Sequence, residues 1–297
     1  MSKWNLDLNK MKNAVKQVTE KKEYGDNRFW KLKTDAEKTG SAVIRFLPDK
    51  DNVPYVQYFS HWFRYEGGSG EKVYADKCPT TIGGDCVVCS KNRELWNSSF
   101  DVDKDVARTR KRKTNFVANI YVIKDPAQPE NEGKVFLYNF GTQVSNLYNE
   151  AMMGGEDADE LDDGTASFIP CIPAKTIDED GNDQCGADFI LRATKKKGSD
   201  WQTYEKSKFK SQSEFLGGDE AKIDEIIEKT HSLAEWKDAK NYPDQTKVAN
   251  ELAPILGTPK VQVTSTPAEE VVDDADEDDI PNSTGEMSDE DYVASLV

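Results

Sequence analysis

Cys78-Pro79-Thr80-Thr81-Ile82-Gly83-Gly84-Asp85-Cys86-Val87-Val88-Cys89 lies between His61 and the run Arg108-Thr109-Arg110-Lys111-Arg112-Lys113, and an apolar segment, Phe116 to Ile123, follows at once. The spacing His61-x16-Cys78-x7-Cys86-x2-Cys89 offers four nitrogen and sulfur donors. That is the complement of a closed tetrahedral zinc site, and a Cys-x2-Cys pair supplies two ligands from one turn. Gly83 and Gly84 free the backbone to bend into the second half of the set. The two long gaps fit no standard finger, and the competing reading is buried free thiols beside a core histidine. One structural Zn2+ on His61, Cys78, Cys86 and Cys89 is the expectation. A catalytic zinc keeps one position open for water, and here protein donors fill all four. A nucleobase deaminase needs His-x-Glu, whereas this chain has His61-Trp62-Phe63. It has no Gly-Lys-Ser/Thr phosphate loop either, so no catalysis is expected.

The positive run after the metal set points to a polyanion. Lys104, Arg108, Arg110, Lys111, Arg112 and Lys113 form a cluster of the kind that releases counterions on meeting phosphates, and Lys195-Lys196-Lys197 make a second run. Aromatic residues lie near both: Trp96, Phe100, Phe116, Tyr138, Trp201 and Tyr204. Interleaved cations and rings suit a single strand whose backbone follows a positive groove while its bases stack. The competing reading is that the rings on strands, Phe116 and Tyr138, belong to the core. Gly198-Ser199-Asp200 makes Trp201 and Tyr204 the better candidates for exposed rings. Nothing in the residues separates DNA from RNA, so an RNA-binding regulator that coats unstructured message stays open as the alternative.

A net charge of −16 argues against nucleic acid until its distribution is examined. No Lys or Arg follows Lys260, and residues 265–297 carry twelve acids, which leaves 43 acids against 39 bases in residues 1–264. A nearly neutral body with basic patches can bind phosphate, and the acidic end reads as a flexible tail unable to bury enough apolar surface to fold. No apolar run spans a membrane and the first residues lack a secretory signal, while five cysteines, three at metal spacing, fit a reducing compartment.

The chain organises into three parts. Residues 1–22 read as a basic arm with lysines at 10, 12, 16, 21 and 22. Residues 23–256 form the core. Strands are expected at 29–32, 42–48, 53–59, 116–123, 135–140, 167–174 and 187–193, and the density of short strands suggests a small barrel. A metal subdomain covers about 61–96. A helical segment covers about 219–256, with Ile223, Ile226, Ile227, Leu233 and Trp236 at helical spacing through Lys240 and a second helix from Gln245 to Leu256. Glu156 to Asp163 reads as an acidic surface loop, and residues 257–297 are the tail.

These residues resemble the single-stranded DNA-binding, helix-destabilising proteins of T4-type bacteriophages. The resemblance is carried by Trp30-Lys31-Leu32-Lys33, by Ala42-Val43-Ile44-Arg45-Phe46-Leu47-Pro48, by the His/Cys set and by Lys111-Arg112-Lys113-Thr114. Its most specific part is Val122-Ile123-Lys124-Asp125-Pro126 followed by Pro129-Glu130-Asn131-Glu132-Gly133-Lys134-Val135-Phe136. It implies a mainly β, α+β fold: an OB-fold barrel with a zinc subdomain, a helical C-terminal part and a disordered acidic tail. It implies a protein that coats and protects single-stranded DNA during viral replication, recombination and repair, in the cytoplasm of the infected bacterial host. The family's zinc ligands fall on His61, Cys78, Cys86 and Cys89. Its base-contacting aromatics fall on Trp96, Phe116, Tyr138, Trp201 and Tyr204, beside the cations Arg110, Lys111, Arg112 and Lys113. The implied partners are single-stranded DNA, neighbouring copies of the same chain through the N-terminal arm, and a polymerase, a helicase loader and a recombination mediator through the tail, which also competes for the DNA groove. The N-terminus departs from the family: Met1-Ser2-Lys3-Trp4-Asn5 stands where the family carries Lys-Arg-Lys-Ser-Thr.

Overall fold

The computed structural model describes residues 26–67, 70–153, 167–177, 181, 183–198 and 201–257. The expected arm at 1–22, the acidic loop at 156–163 and the tail from 258 onward lie outside the described residues.

Eleven strands are described: β1 Phe29–Trp30, β2 Gly40–Leu47, β3 Val56–Gly67, β4 Gly70–Lys77, β5 Lys113–Lys124, β6 Val135–Phe140, β7 Thr176–Ile177, β8 Asp183–Gln184, β9 Asp188–Lys195, β10 Gln202–Thr203 and β11 Lys208–Phe209. Five α-helices accompany them: α1 Val87–Trp96, α2 Asp101–Thr109, α3 Thr142–Met153, α4 Glu220–Ile227 and α5 Gln245–Leu256. Nine strands form one sheet, ordered β1-β6-β5-β2-β9-β10, with β11 on β9 and the β3–β4 hairpin on β5. The fold is thus mixed α+β with a large sheet. The pairings make an open path, so the barrel expected from strand density is not established by them.

The long β5 is the spine. On one edge it pairs with β6, and on the other with β2 at its C-terminal half and β3 at its N-terminal half. β2 and β3 therefore follow each other along the same edge, separated by the turn at Pro48 to Tyr55. Alternation along β2, β5 and β9 sends Ile44, Phe46, Ile120, Val122, Phe189 and Leu191 to one face, where they join Phe140 and Tyr148 in the main core. Phe46 meets Tyr148 edge to face there at 5.1 Å, a favoured geometry because ring edges are positive and faces negative.

Buried polar groups pin the connections. The Asp125 side chain accepts the Trp30 indole N–H at 2.8 Å and the Gln128 amide at 3.1 Å, which explains the Lys-Asp-Pro turn and the loop after it. Asn119, fully buried, bonds both backbone groups of His231 at 2.8 and 2.9 Å. Arg45, also fully buried, donates to the carbonyls of Ile172 and Ser213 and faces Asp188. Gly186 is required beside it, since a Cβ there would stand 2.5 Å from the Pro170 carbonyl oxygen.

Two expectations need correction. The strand expected at 167–174 is turn and irregular chain, because Pro170 and Pro173 remove ladder donors; the short β7–β8 hairpin follows it instead. The helical reading of 219–240 shortens to α4 and two 3-10 turns, Leu233–Lys237 and Ala239–Asn241. Leu233 and Trp236 are nonetheless buried, against Val56, Tyr58, Val117 and Leu137 of the sheet.

Candidate metal centre and nucleic-acid interface

His61 stands where β3 parts from β5, immediately after the Ser60–Lys113 pair. Cys78 follows β4, its amide donating to the Phe59 carbonyl at 2.8 Å. The 3-10 turn Pro79–Ile82 ends at Gly83 with φ +75°, the left-handed conformation that glycine adopts without strain, and so returns the chain towards His61. Cys86 is the residue before α1 and Cys89 lies in its first turn, where the positive end of the helix favours thiolates.

The four donor atoms lie within 4.8 Å of one another. Cys78 Sγ is 3.6 Å from Cys89 Sγ, and His61 Nε2 is 3.5 Å from Cys86 Sγ and 3.3 Å from Cys89 Sγ. Zinc–sulfur bonds of about 2.3 Å and zinc–nitrogen bonds of about 2.0 Å give tetrahedral edges of roughly 3.5–3.8 Å, so the observed spacings suit an ion at the centre. His61 Nδ1 is 3.0 Å from the Arg110 carbonyl, a contact that puts the proton on Nδ1 and leaves Nε2 to coordinate. Burial lowers the proton affinity of His61, but the Cys78 and Cys86 sulfurs outweigh it and raise its pKa to about 9. Hydrogen bonds from Cys86 and Cys89 push the Cys78 thiol down, and hydrogen bonds with Cys78 and Cys86 push the Cys89 thiol up. The cluster thus holds protons that a cation would displace.

Helix α5 closes the cluster. Val248, Leu252 and Leu256 pack with Phe63, Tyr74, Cys78 and Cys86 in one apolar group. Gln245 Oε1 accepts the Val87 amide at 3.0 Å, and the Tyr65 hydroxyl donates to Glu251 at 3.3 Å. Pro254 is tolerated inside α5, which ends at Gly257 in the left-handed conformation.

Because β5 begins beside Ser60, the basic run is carried to the edge of the metal cluster. Its members divide. Lys111 is exposed. Arg112 lies over Phe59 at 4.4 Å and Lys113 over Trp62 at 5.9 Å. Arg110 turns inward instead: its guanidinium donates to the Ile255 carbonyl at 3.3 Å and lies 5.7 Å from the Phe63 ring. Burial lowers its pKa. Phe59 and Trp62 escaped the sequence reading: three residues apart on β3, they fall on opposite faces, so no single alternating face marks them as a pair.

The expected stacking rings also divide. Trp96 is 38% exposed at the end of α1, with Arg108 over it at 5.4 Å. Trp201 is half-buried beside β10, its carbonyl accepting from the Lys196 amide. Tyr204 is half-buried and packs against the main core, its amide bonded to Gln143. Phe116 and Tyr138 are 8% and 5% exposed, and each stacks with Phe140, at 5.6 and 5.5 Å. That is the core reading the sequence left open for rings on strands, and it leaves little of either ring to meet a base.

The chain matches the family described as gp32 DNA binding protein like over residues 38–256. It is 33% identical over 263 residues to the single-stranded DNA-binding protein of Enterobacteria phage T2, covering 84% of this chain and 78% of that one. To the single-stranded DNA-binding protein of Enterobacteria phage T4 it is 34% identical over 241 residues, 78% of this chain and 71% of that one. No helix among the described residues is long and apolar enough to cross a membrane.

Proposed function

Since the chain belongs to the gp32-like DNA-binding proteins, we propose that it is a phage single-stranded DNA-binding protein, without catalytic activity, that coats and protects single strands during replication, recombination and repair. The observation that carries this reading is the juxtaposition of the basic run with the His/Cys cluster at the start of β5. Lys111, Arg112 and Lys113 then contact phosphates, with Arg110 supporting them from behind. Trp96, Trp201 and Tyr204 stack on bases, and Phe116 and Tyr138 back the groove from the core.

One structural zinc on His61, Cys78, Cys86 and Cys89 holds the β3–β4 hairpin, the Cys78 loop and α1 in one unit. The supporting evidence is the spacing of the donors and the absence of any position left for water in a four-ligand set. An OB-type barrel for the sheet is consistent with the pairing of β2, β5, β6 and β9. The twelve acids of residues 265–297 give the C-terminal segment the charge to compete for the groove and to recruit replication and recombination proteins, while the N-terminal arm contacts neighbouring copies. The host cytoplasm is the proposed place of action.

The test is a salt titration of binding to poly(dT), followed by tryptophan fluorescence. Quenching with a log–log slope of about −0.7 per phosphate contact is the expected result. Equal or tighter binding to RNA of the same sequence would favour the message-coating alternative, and absence of binding at low salt would refute both.

A further inference from the structure

Away from the metal cluster, the outer face of the sheet carries a second set of cations, drawn from β5, β9, β11 and the turn before β11. Backbone register aligns Lys124 of β5 with Val43 of β2, Val43 with Ile190 of β9, and Ile190 with Lys208 of β11. One step along, Ser41 of β2 faces Arg192 of β9, and Lys206 precedes β11. Lys124, Arg192, Lys206 and Lys208 are all exposed, while Val43 and Ile190 form a half-buried floor between them. The register of β2 on β5 shifts between Val43 and Ile44, so Ile123 is an extra residue. Such a bulge re-aims the side chains after it, and here it turns Lys124 towards Val43 instead of the core.

The acid on the same side of β9, Asp188, is taken up by Lys210 and Arg45. Lys50, Arg64, Lys91 and Lys229 elsewhere on the surface each have a carboxylate within 3.2 Å. None of Lys124, Arg192, Lys206 and Lys208 has an ion pair among the described residues. From Lys124 to Lys208 is three strand spacings, about 14 Å, and from Ile190 to Arg192 about 7 Å along the strand. That area suits a linear polyanion better than a single small ion. The floor is aliphatic and holds no ring, so it offers phosphates a place and bases none.

We propose that Lys124, Arg192, Lys206 and Lys208 form a second phosphate-binding track for single-stranded nucleic acid, separate from the Lys111–Lys113 run and contacting the backbone alone. The proposal rests on the single-strand-binding reading above and extends it to a face of the sheet remote from the metal cluster.

The experiment compares the full chain with its Lys124→Gln/Arg192→Gln/Lys208→Gln variant on poly(dT) across salt. Wild-type binding with a measurable slope tests the general reading by itself. The triple variant is expected to lose about two units of log–log slope, roughly 0.7 for each lost phosphate contact, with tryptophan quenching at saturation unchanged. The Lys124→Arg/Arg192→Lys/Lys208→Arg variant is expected to keep the wild-type slope. Should the triple variant fold poorly, Lys124→Gln and Lys208→Gln are measured singly, each expected to lose roughly 0.7. A wild type that binds beside a triple variant of identical slope overturns the track while leaving the general reading intact. Identical slopes together with binding of a free 265–297 peptide to the wild type and not to the variant would assign the face to an acidic segment, and would equally overturn it.

Discussion

Replacing Arg110 with alanine separates a structural arginine from a phosphate contact. The side chain donates one hydrogen bond to the Ile255 carbonyl at 3.3 Å and lies over Phe63 at 5.7 Å. A hydrogen bond from a charged donor is worth about 1.5 kcal/mol at this long distance, and a half-buried cation over a ring about 0.5–1 kcal/mol. The loss should therefore be about 2 kcal/mol of stability, a fall in melting midpoint of roughly 4–8 °C for a domain of this size. The His61 contact is to the Arg110 backbone, so the metal ligand keeps its partner in the variant. The assays are a thermal melt with zinc present, hydrogen exchange of α5, and the salt dependence of poly(dT) binding. Midpoint and α5 protection should fall while the slope stays at the wild-type value. Lys111→Ala should do the reverse to the slope, lowering it by roughly 0.7. An Arg110→Ala protein with a wild-type midpoint and a slope reduced by that amount would refute the inward role.

Further outcomes are expected. Protein purified without chelator should contain one zinc per chain, and Cys86→Ser should abolish it; chelation should unprotect amides of 61–96 and α5 while those of β2, β5 and β9 stay protected. Trp201→Ala should weaken binding by about 1–3 kcal/mol with little change in stability. Phe116→Ala should instead destabilise the fold by about 3 kcal/mol or more, read by denaturant melts, because it opens a cavity beside Phe140. Asn119→Ala should cost about 3 kcal/mol by the same measurement, since both backbone groups of His231 lose their buried partner.

The sequence spoke most clearly where one physical demand dominated. The alternating runs at 42–48, 116–123 and 135–140 became β2, β5 and β6 because their branched and aromatic side chains alternate between core and outer faces. The metal set was legible because thiols and imidazole at short spacing answer to a single chemistry. Helices α1 and α2 were hidden: Val87–Trp96 and Asp101–Thr109 have one mostly buried side chain each, Val88 and Ala107, too little for a periodic signal. The direction of Arg110 was hidden for another reason. Six cations in ten residues look alike in sequence, and only the docking of α5, some 140 residues later, turns one of them inward. Phe116 and Tyr138 have the same ambiguity, since a ring on a strand reads identically whether it faces a base or a core.

The cover that α5 forms over Cys78 and Cys86 also bears on how the protein is made. The four donors are complete once Cys89 has been synthesised, yet their lid ends about 170 residues later, at Leu256. At a synthesis rate of about 5–20 residues per second, the thiols stay uncovered on the ribosome for roughly 10–30 seconds. A nascent chain in that interval has reactive sulfurs open both to metal and to oxidant. Early capture of the ion would protect them until the lid arrives. Failure to capture it in time would leave a cysteine pair free to oxidise, with Leu252 and Leu256 then closing over the wrong chemistry.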